Sequence, residues 1–379
     1  MKHRALLAVL LAAVLATLVS ARAASPDPGR GQRGPDLVFV QTNEVTGNRI
    51  VVFHRADDGR LTEAGRYATG GNGGVALPGN ESDRLASQGS LVYDSGSRLL
   101  LAVNAGSDSI SAFSVQGDRL QLLDVLPSGG EFPASIAVHG RLVYVLNAGG
   151  RSTVQGFRIL PFGLRPIPHS ARDLGLANTD PPDFLTSPGQ VGFTPDGSRL
   201  IVTTKASGSL IDVFQVLPNG RLSETPVRNP SATPVPFAFT FAPTGRLVMG
   251  EAGASTVTTY VVNPEGTLSD PKSLGDNQVA LCWIQRVGRF YYVSNTGSDT
   301  LGGYEISAAG QPALVTSTGV VAHTTPGPID LTSPTGTSFL YAQTGSGSVH
   351  EFRVNADGTL TQLGVIGGLP VGMEGIAST

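Results

Sequence analysis

The sequence predicts an all-β, seven-bladed β-propeller of four-stranded blades, its ring closed by a C-terminal strand that completes the first blade. Three observations predict it. A strand-turn-strand unit recurs seven times, the copies stand one blade length apart, and the two ends of the chain hold complementary pieces of one copy.

The unit is clearest in residues 100–113, LLAVNAGSDSISAF. An alternating apolar run leads to a polar turn residue, then to a turn of small residues, then to a second alternating run that closes on an aromatic. Turn residue and aromatic are Asn43 and Phe53, Asn104 and Phe113, Asn147 and Phe157, Lys205 and Phe214, Glu251 and Tyr260, Asn295 and Tyr304, and Gln343 and Phe352. The spacing is nine residues in five copies and ten in two, too regular for unrelated hairpins. From Asn43 to Gln343 the turn residue recurs every 50 residues on average, which suits a propeller blade and exceeds most solenoid repeats.

The remaining strands of each blade flank this unit. Upstream, residues 90–99, 135–142, 191–200, 239–247 and 329–339 each read as an apolar strand running into a tight turn. Downstream, residues 56–67, 218–225, 264–270 and 355–364 read as an outer strand after a turn such as DDG or PNG. No inner strand precedes Asp36, whereas the chain finishes on GLPVGMEGIAST, a spare inner strand. Pairing the two in one sheet removes the free edges of the ring.

Composition agrees. With 49 Gly, 26 Pro and only 15% charged residues, the chain suits many short strands and tight turns, and no long stretch has apolar residues at helical spacing. Residues 1–23 read as a signal peptide, with Lys2, His3 and Arg4 ahead of an apolar run and small residues at Ala21 and Ala23. Residues 24–35 read as a flexible leader and residues 36–379 as the propeller. The mature protein is therefore expected to be secreted or extracytoplasmic, a monomer out of contact with the membrane once the signal is cleaved. A net charge of −3 leaves no basic footprint for nucleic acid. The lone Cys282 allows no internal disulfide. Neither His139 nor His323 has a partner at metal-site spacing, so no metal and no cofactor is expected.

The turn between the second and third strands lies on the face where the inner strands begin, so the seven turn residues are expected to ring one mouth of the channel. Five are neutral amides, Asn43, Asn104, Asn147, Asn295 and Gln343, and two are charged, Lys205 and Glu251, on adjacent blades. Ser87, Gln88, Ser135, Gln190, Cys282, Asp330 and Glu374 stand at inner-strand starts, where they can point into the channel. The long connections 70–85 and 169–187 lie on the same face, placed to fold over the mouth. Each feature also has a plain structural reading. The asparagines form turns, Lys205 and Glu251 pair with each other, and Cys282 packs as a small apolar side chain beside Trp283.

The blades FTPDGSRLIVTT, FAPTGRLVMGEAGASTVTTY and SPTGTSFLYAQ resemble those of the lactonase family of seven-bladed propellers, which includes 6-phosphogluconolactonase and carboxymuconate-cyclising enzymes. The runs SQGSL, VNAGSDS, SGGEFP and CW are similar to secreted actinobacterial members. The resemblance implies a channel-mouth site built from His, Arg and Glu. Here Pro236-Phe237-Ala238 stands where relatives carry Pro-Arg-His, and Gly189 stands where they carry a further His, so Glu251 alone matches. The expectation is a secreted lactonase-like hydrolase, or a related lactone-forming cyclase, for a small, weakly charged cyclic ester. Glu251 would be general base, Lys205 and the ring amides would polarise the carbonyl, and Gln88, Ser135 and Gln190 would help bind substrate. The alternative is a non-catalytic propeller that binds a sugar, peptide or cell-wall ligand through the same mouth.

Overall fold

The protein is described here by a computed structural model covering residues 36–79 and 82–379. The signal peptide and leader expected at residues 1–35 lie outside the described residues.

Seven antiparallel sheets form the seven blades. Blade 1 runs outward from Ile376–Ser378 through Leu37–Gln41 and Arg49–Arg55 to Leu61–Ala68. The closing pairs are Val38 with Ser378, Phe39 with Ala377 and Val40 with Ile376, so the C-terminal strand completes the first blade. Blades 2 to 7 follow in chain order, each starting at its inner strand. In blades 3 and 6 the outer strand is broken in two. Gly163–Pro166 and Arg172–Asp173 both pair with Thr153–Leu160, and Pro312–Leu314 and Val320–His323 both pair with Thr300–Ile306.

The cores lie between blades, which explains the near-continuous apolar runs of the second strands. In Leu99–Asn104, Leu99, Leu101 and Val103 pack toward blade 3, while Leu100 and Ala102 pack toward blade 1. Both faces of the strand are covered, so both sets of alternating positions are apolar. A recurring polar contact adds to this packing. Tyr144, Tyr292 and Tyr341, all on second strands, donate their hydroxyls to the carbonyls of Gly220, Gly358 and Gly59 in the outer turn of the following blade, at 2.8, 2.8 and 2.7 Å. Those three glycines have φ of +83°, +87° and +94°, a region closed to other residues without strain. Tight turn and neighbouring tyrosine therefore come as a set.

Because no blade has a core of its own, loss of one strand should be felt around the ring. A chain ending at Gly375 loses the buried Ile376 and Ala377 and bares the edge of Leu37–Gln41. The expected cost is about 3 kcal/mol or more from lost apolar burial and ladder pairing, measured as a drop in the midpoint of chemical unfolding, with self-association in size-exclusion chromatography.

Candidate active site beneath two paired loops

The mouth that the sequence singles out is roofed from within the chain. The connection after Ala68 and the connection after Asp173 meet above the channel, where Leu77 N donates to Pro182 O and Phe184 N to Leu77 O, both at 2.8 Å. Below that junction Leu85, Ala86 and Ser87 are fully buried. Gln88 then reaches blade 6 on the far side, accepting from Ile284 N at 3.0 Å and donating to Ile284 O at 3.3 Å. Trp283 Nε1 donates to Ser87 O at 2.9 Å. The two long connections are thus bonded to each other at Leu77 and 182–184.

Lys205 holds this roof. Its turn position carries φ of +50°, and its ammonium donates to Ala86 O at 2.7 Å, Phe184 O at 2.7 Å and Ser187 Oγ at 3.0 Å. One ammonium therefore uses its three protons on both loops, between the rings of Phe184 and Phe237 at 5.3 and 5.2 Å.

Glu251 is elsewhere and does not meet Lys205. Its fully buried carboxylate accepts from Thr233 N at 3.1 Å, Thr233 Oγ1 at 2.5 Å, Thr258 Oγ1 at 2.6 Å and the Tyr260 hydroxyl. These contacts pin the link 231–235 onto blade 5, and leave the carboxylate no path to the channel. The expected pairing of Glu251 with Lys205, as base and electrophile or as an ion pair, is corrected accordingly.

The amide ring is likewise internal to the blades. Asn43 exchanges hydrogen bonds with Gly74 N and O, Asn104 donates to Ser111 and Ser109, Asn147 to Thr153, and Asn295 to Asp276 and Thr300. Asn104 and Asn147 bond across their own hairpins, whereas Asn43 also ties its turn to Gly74 and Gly372 and Asn295 to Asp276 of the preceding link. Gln343 is buried with neither amide atom partnered. Ser135 and Gln190 tie inner strands together, Ser135 through Gln88 O and Val191 N, and Gln190 through both backbone groups of Phe239. Cys282 is buried in the blade 5–6 core, where burial and then the Asp83 charge push its thiol well above the ordinary range, so it packs rather than attacks.

What the structure gathers around Lys205 instead is a set of buried carboxyls. Asp83, from the first loop, accepts from Ala86 N at 2.7 Å and shares a hydrogen bond with Glu374, which accepts from Leu85 N at 2.6 Å. Asp330 lies within electrostatic reach of both. Burial raises Asp83 to about 6 despite the opposing pull of Lys205, and burial together with the charges of Asp83 and Asp330 holds Glu374 well above the carboxylate range. Burial also lowers Lys205 to about 8, with Asp83 the largest counterweight. Asp330 and Glu374 are legible as inner-strand starts. Asp83 is not, because it belongs to no repeat, and only the length of its loop marks it. Among the described residues no three acidic, histidine or cysteine side chains stand together as a metal set.

No protein-family model matches the sequence, nor does that of any curated protein. Solved structures do match in fold. A protein of Lactobacillus plantarum aligns at 19% identity and TM-score 0.69, over 90% of this chain and 98% of its own. A candidate 6-phosphogluconolactonase of Bacteroides fragilis aligns at 18% and 0.69, over 91% and 98%. A periplasmic gluconolactonase of Pseudomonas aeruginosa aligns at 17% and 0.65, over 90% and 98%. The chain shares the propeller fold of these three proteins.

Removing one charge from this cluster should cost more than removing both. Lys205→Met strands Asp83 and both loop carbonyls, with an expected loss of about 3–5 kcal/mol, whereas adding Asp83→Asn removes the stranded charge and should recover part of that loss. Measured unfolding free energies decide this. The pH dependence has a definite sign. Asp83 binds its proton more tightly folded than unfolded, so stability falls as pH rises from about 4 to about 6. Lys205 binds its proton less tightly folded, so stability returns from about pH 8 upward. Glu374, raised in the same way, carries the fall on beyond pH 6. Stability is therefore expected to decline from about pH 4 until Lys205 opposes the decline above about pH 8, and the double variant should lose the Asp83 step between about pH 4 and 6.

Proposed function

We propose that the protein is an extracytoplasmic lactonase-like hydrolase whose reaction takes place beneath the roof, at Asp83, Glu374 and Lys205. The observation that carries this reading is the burial of two carboxyls and an ammonium together, Asp83 and Glu374 between Ala86 N, Leu85 N and the charge of Lys205. Burial pushes Asp83 up to about 6, Glu374 well above the carboxylate range and Lys205 down to about 8. These are a base, an acid and a cation, the three groups that opening a cyclic ester requires.

Asp83 takes a proton from the water that attacks the carbonyl carbon, and Lys205, released from one of its loop partners as the loops part, stabilises the oxyanion. Glu374 gives its proton to the ring oxygen as the C–O bond breaks, leaving an open hydroxy acid. The Asp83–Glu374 hydrogen bond then returns the proton to Glu374 and resets the site. A single ammonium among carboxyls fits a neutral or weakly charged ring and disfavours phosphosugars and polycarboxylates. Substrate enters when the loops part at the Leu77–Asp183 junction. The fold shared with lactonase-like propellers supports this reading. Placement outside the cytoplasm rests on residues 1–23; among the described residues no helix is long and apolar enough to cross a membrane.

The test is hydrolysis of a panel of uncharged γ- and δ-lactones by the purified protein. The expected rate rises through about pH 6 and falls through about pH 8. It should drop about 10²-fold or more in Asp83→Asn. A disulfide between Leu77→Cys and Asp183→Cys should block turnover until reduced. A panel left untouched, or Asp83→Asn as fast as wild type, rejects the proposal.

One observation favours a second reading, a propeller that binds a sugar or peptide without turnover. Residues 85–88 fill the upper mouth, while the lower face carries open grooves, one of about 640 Å3 lined by Thr240, Gln285, Arg286, Thr335 and Thr337. Saturable glycan binding that survives Asp83→Asn and is lost in Arg286→Ala would support it.

A further inference from the structure

A group of buried oxygens beside this cluster is left over from everything described so far. Asp330 is 4% exposed. Its carboxyl accepts from the backbone N–H groups of Gly375 and Gly89, yet Oδ2 has no partner. Ser90 Oγ and both amide atoms of Gln41 are fully buried and also unpartnered. All three residues converge on Gly375. Gln41 N donates to Gly375 O at 2.8 Å, and a methyl added at Gly375 would stand 2.6 Å from Ser90 Oγ and 3.1 Å from Gln41 Cβ.

Buried polar atoms are partnered almost without exception in folded proteins, so three such side chains at one place call for an occupant. The chemistry of the set narrows it. It offers one carboxylate, amide and hydroxyl oxygens, and no nitrogen or sulfur ligand. No cationic side chain is among the groups acting on Asp330, whereas the negative Asp83 is. A carboxylate in that position either keeps a proton or takes a positive ion.

We propose that Asp330, Gln41 and Ser90 hold a hard cation, of the calcium type, in the channel next to Gly375, with ordered water completing its shell. Oxygen-only sets with one carboxylate and neutral carbonyls suit calcium, and weak affinity, with Kd about 10⁻⁴–10⁻³ M, is usual for extracellular modules. None of its three side chains carries a step of the proposed reaction, although an ion on Asp330 would ease its push on Glu374. It anchors Gly375 and Gly89, the residues that follow Glu374 and Gln88 into the ring.

The experiment uses the whole protein, stripped with a chelator and titrated with calcium chloride, in calorimetry and in thermal unfolding. One site per chain and a rise in Tm are expected, with magnesium and sodium weaker. Asp330→Asn should lower the affinity at least about 10-fold. Should that variant fail to fold, Ser90→Ala combined with Gln41→Leu is read in the same way. Absence of heat and of any Tm shift up to about 10 mM calcium overturns the proposal and leaves Asp330 protonated among ordered waters. Undiminished binding in Asp330→Asn overturns it as well.

Discussion

No blade in this ring can cover its own two apolar faces. Leu99, Leu101 and Val103 need blade 3, and Leu100 and Ala102 need blade 1, so every sheet is stable only between two others. Closure is therefore the condition for the fold. The antiparallel pairing of Leu37–Gln41 with Ile376–Ser378 supplies it, and everything at the channel axis, roof and carboxyl cluster included, is held in place by that circle.

The architecture was legible because it is written seven times. Period-two alternation, a polar turn residue and a closing aromatic each carry a weak signal, and repetition at a fixed interval turns them into a strong one. The incomplete first copy and the spare final strand revealed closure by the same logic. The site was legible only in part. Turn position put Lys205 at the channel end, but its partners come from loops that belong to no repeat. Glu251 broke the amide pattern just as Lys205 did, yet for a local reason. Thr233, Thr258 and Tyr260 lie within 18 residues of it and satisfy it inside one blade, whereas Lys205 meets Ala86 at a separation of 119 residues. Pattern breaking marked both positions and could not say which one faced inward.

The channel axis shows what burial does to a mixed set of charges. Asp83, Glu374 and Lys205 are all pushed toward their neutral forms, and their mutual contacts decide which of them stay charged near neutrality. Such an arrangement is costly to stability wherever it serves only to hold loops, since apolar side chains would do that work at least as well. That cost is the physical reason to look for chemistry there rather than at Glu251, which is comfortable where it is.

The pairing of Leu37–Gln41 with Ile376–Ser378 also sets the order in which the chain can fold. The two strands are separated by more than 330 residues, so the first blade waits for the last residues to be made. Until then its second strand, LVFVQ, keeps an open edge of unpaired backbone groups between mostly apolar side chains, the kind that captures other chains. Ring formation is in this sense a race between intramolecular closure and aggregation. Dilute expression or a chaperone that covers the first blade should favour the winner that the structure shows.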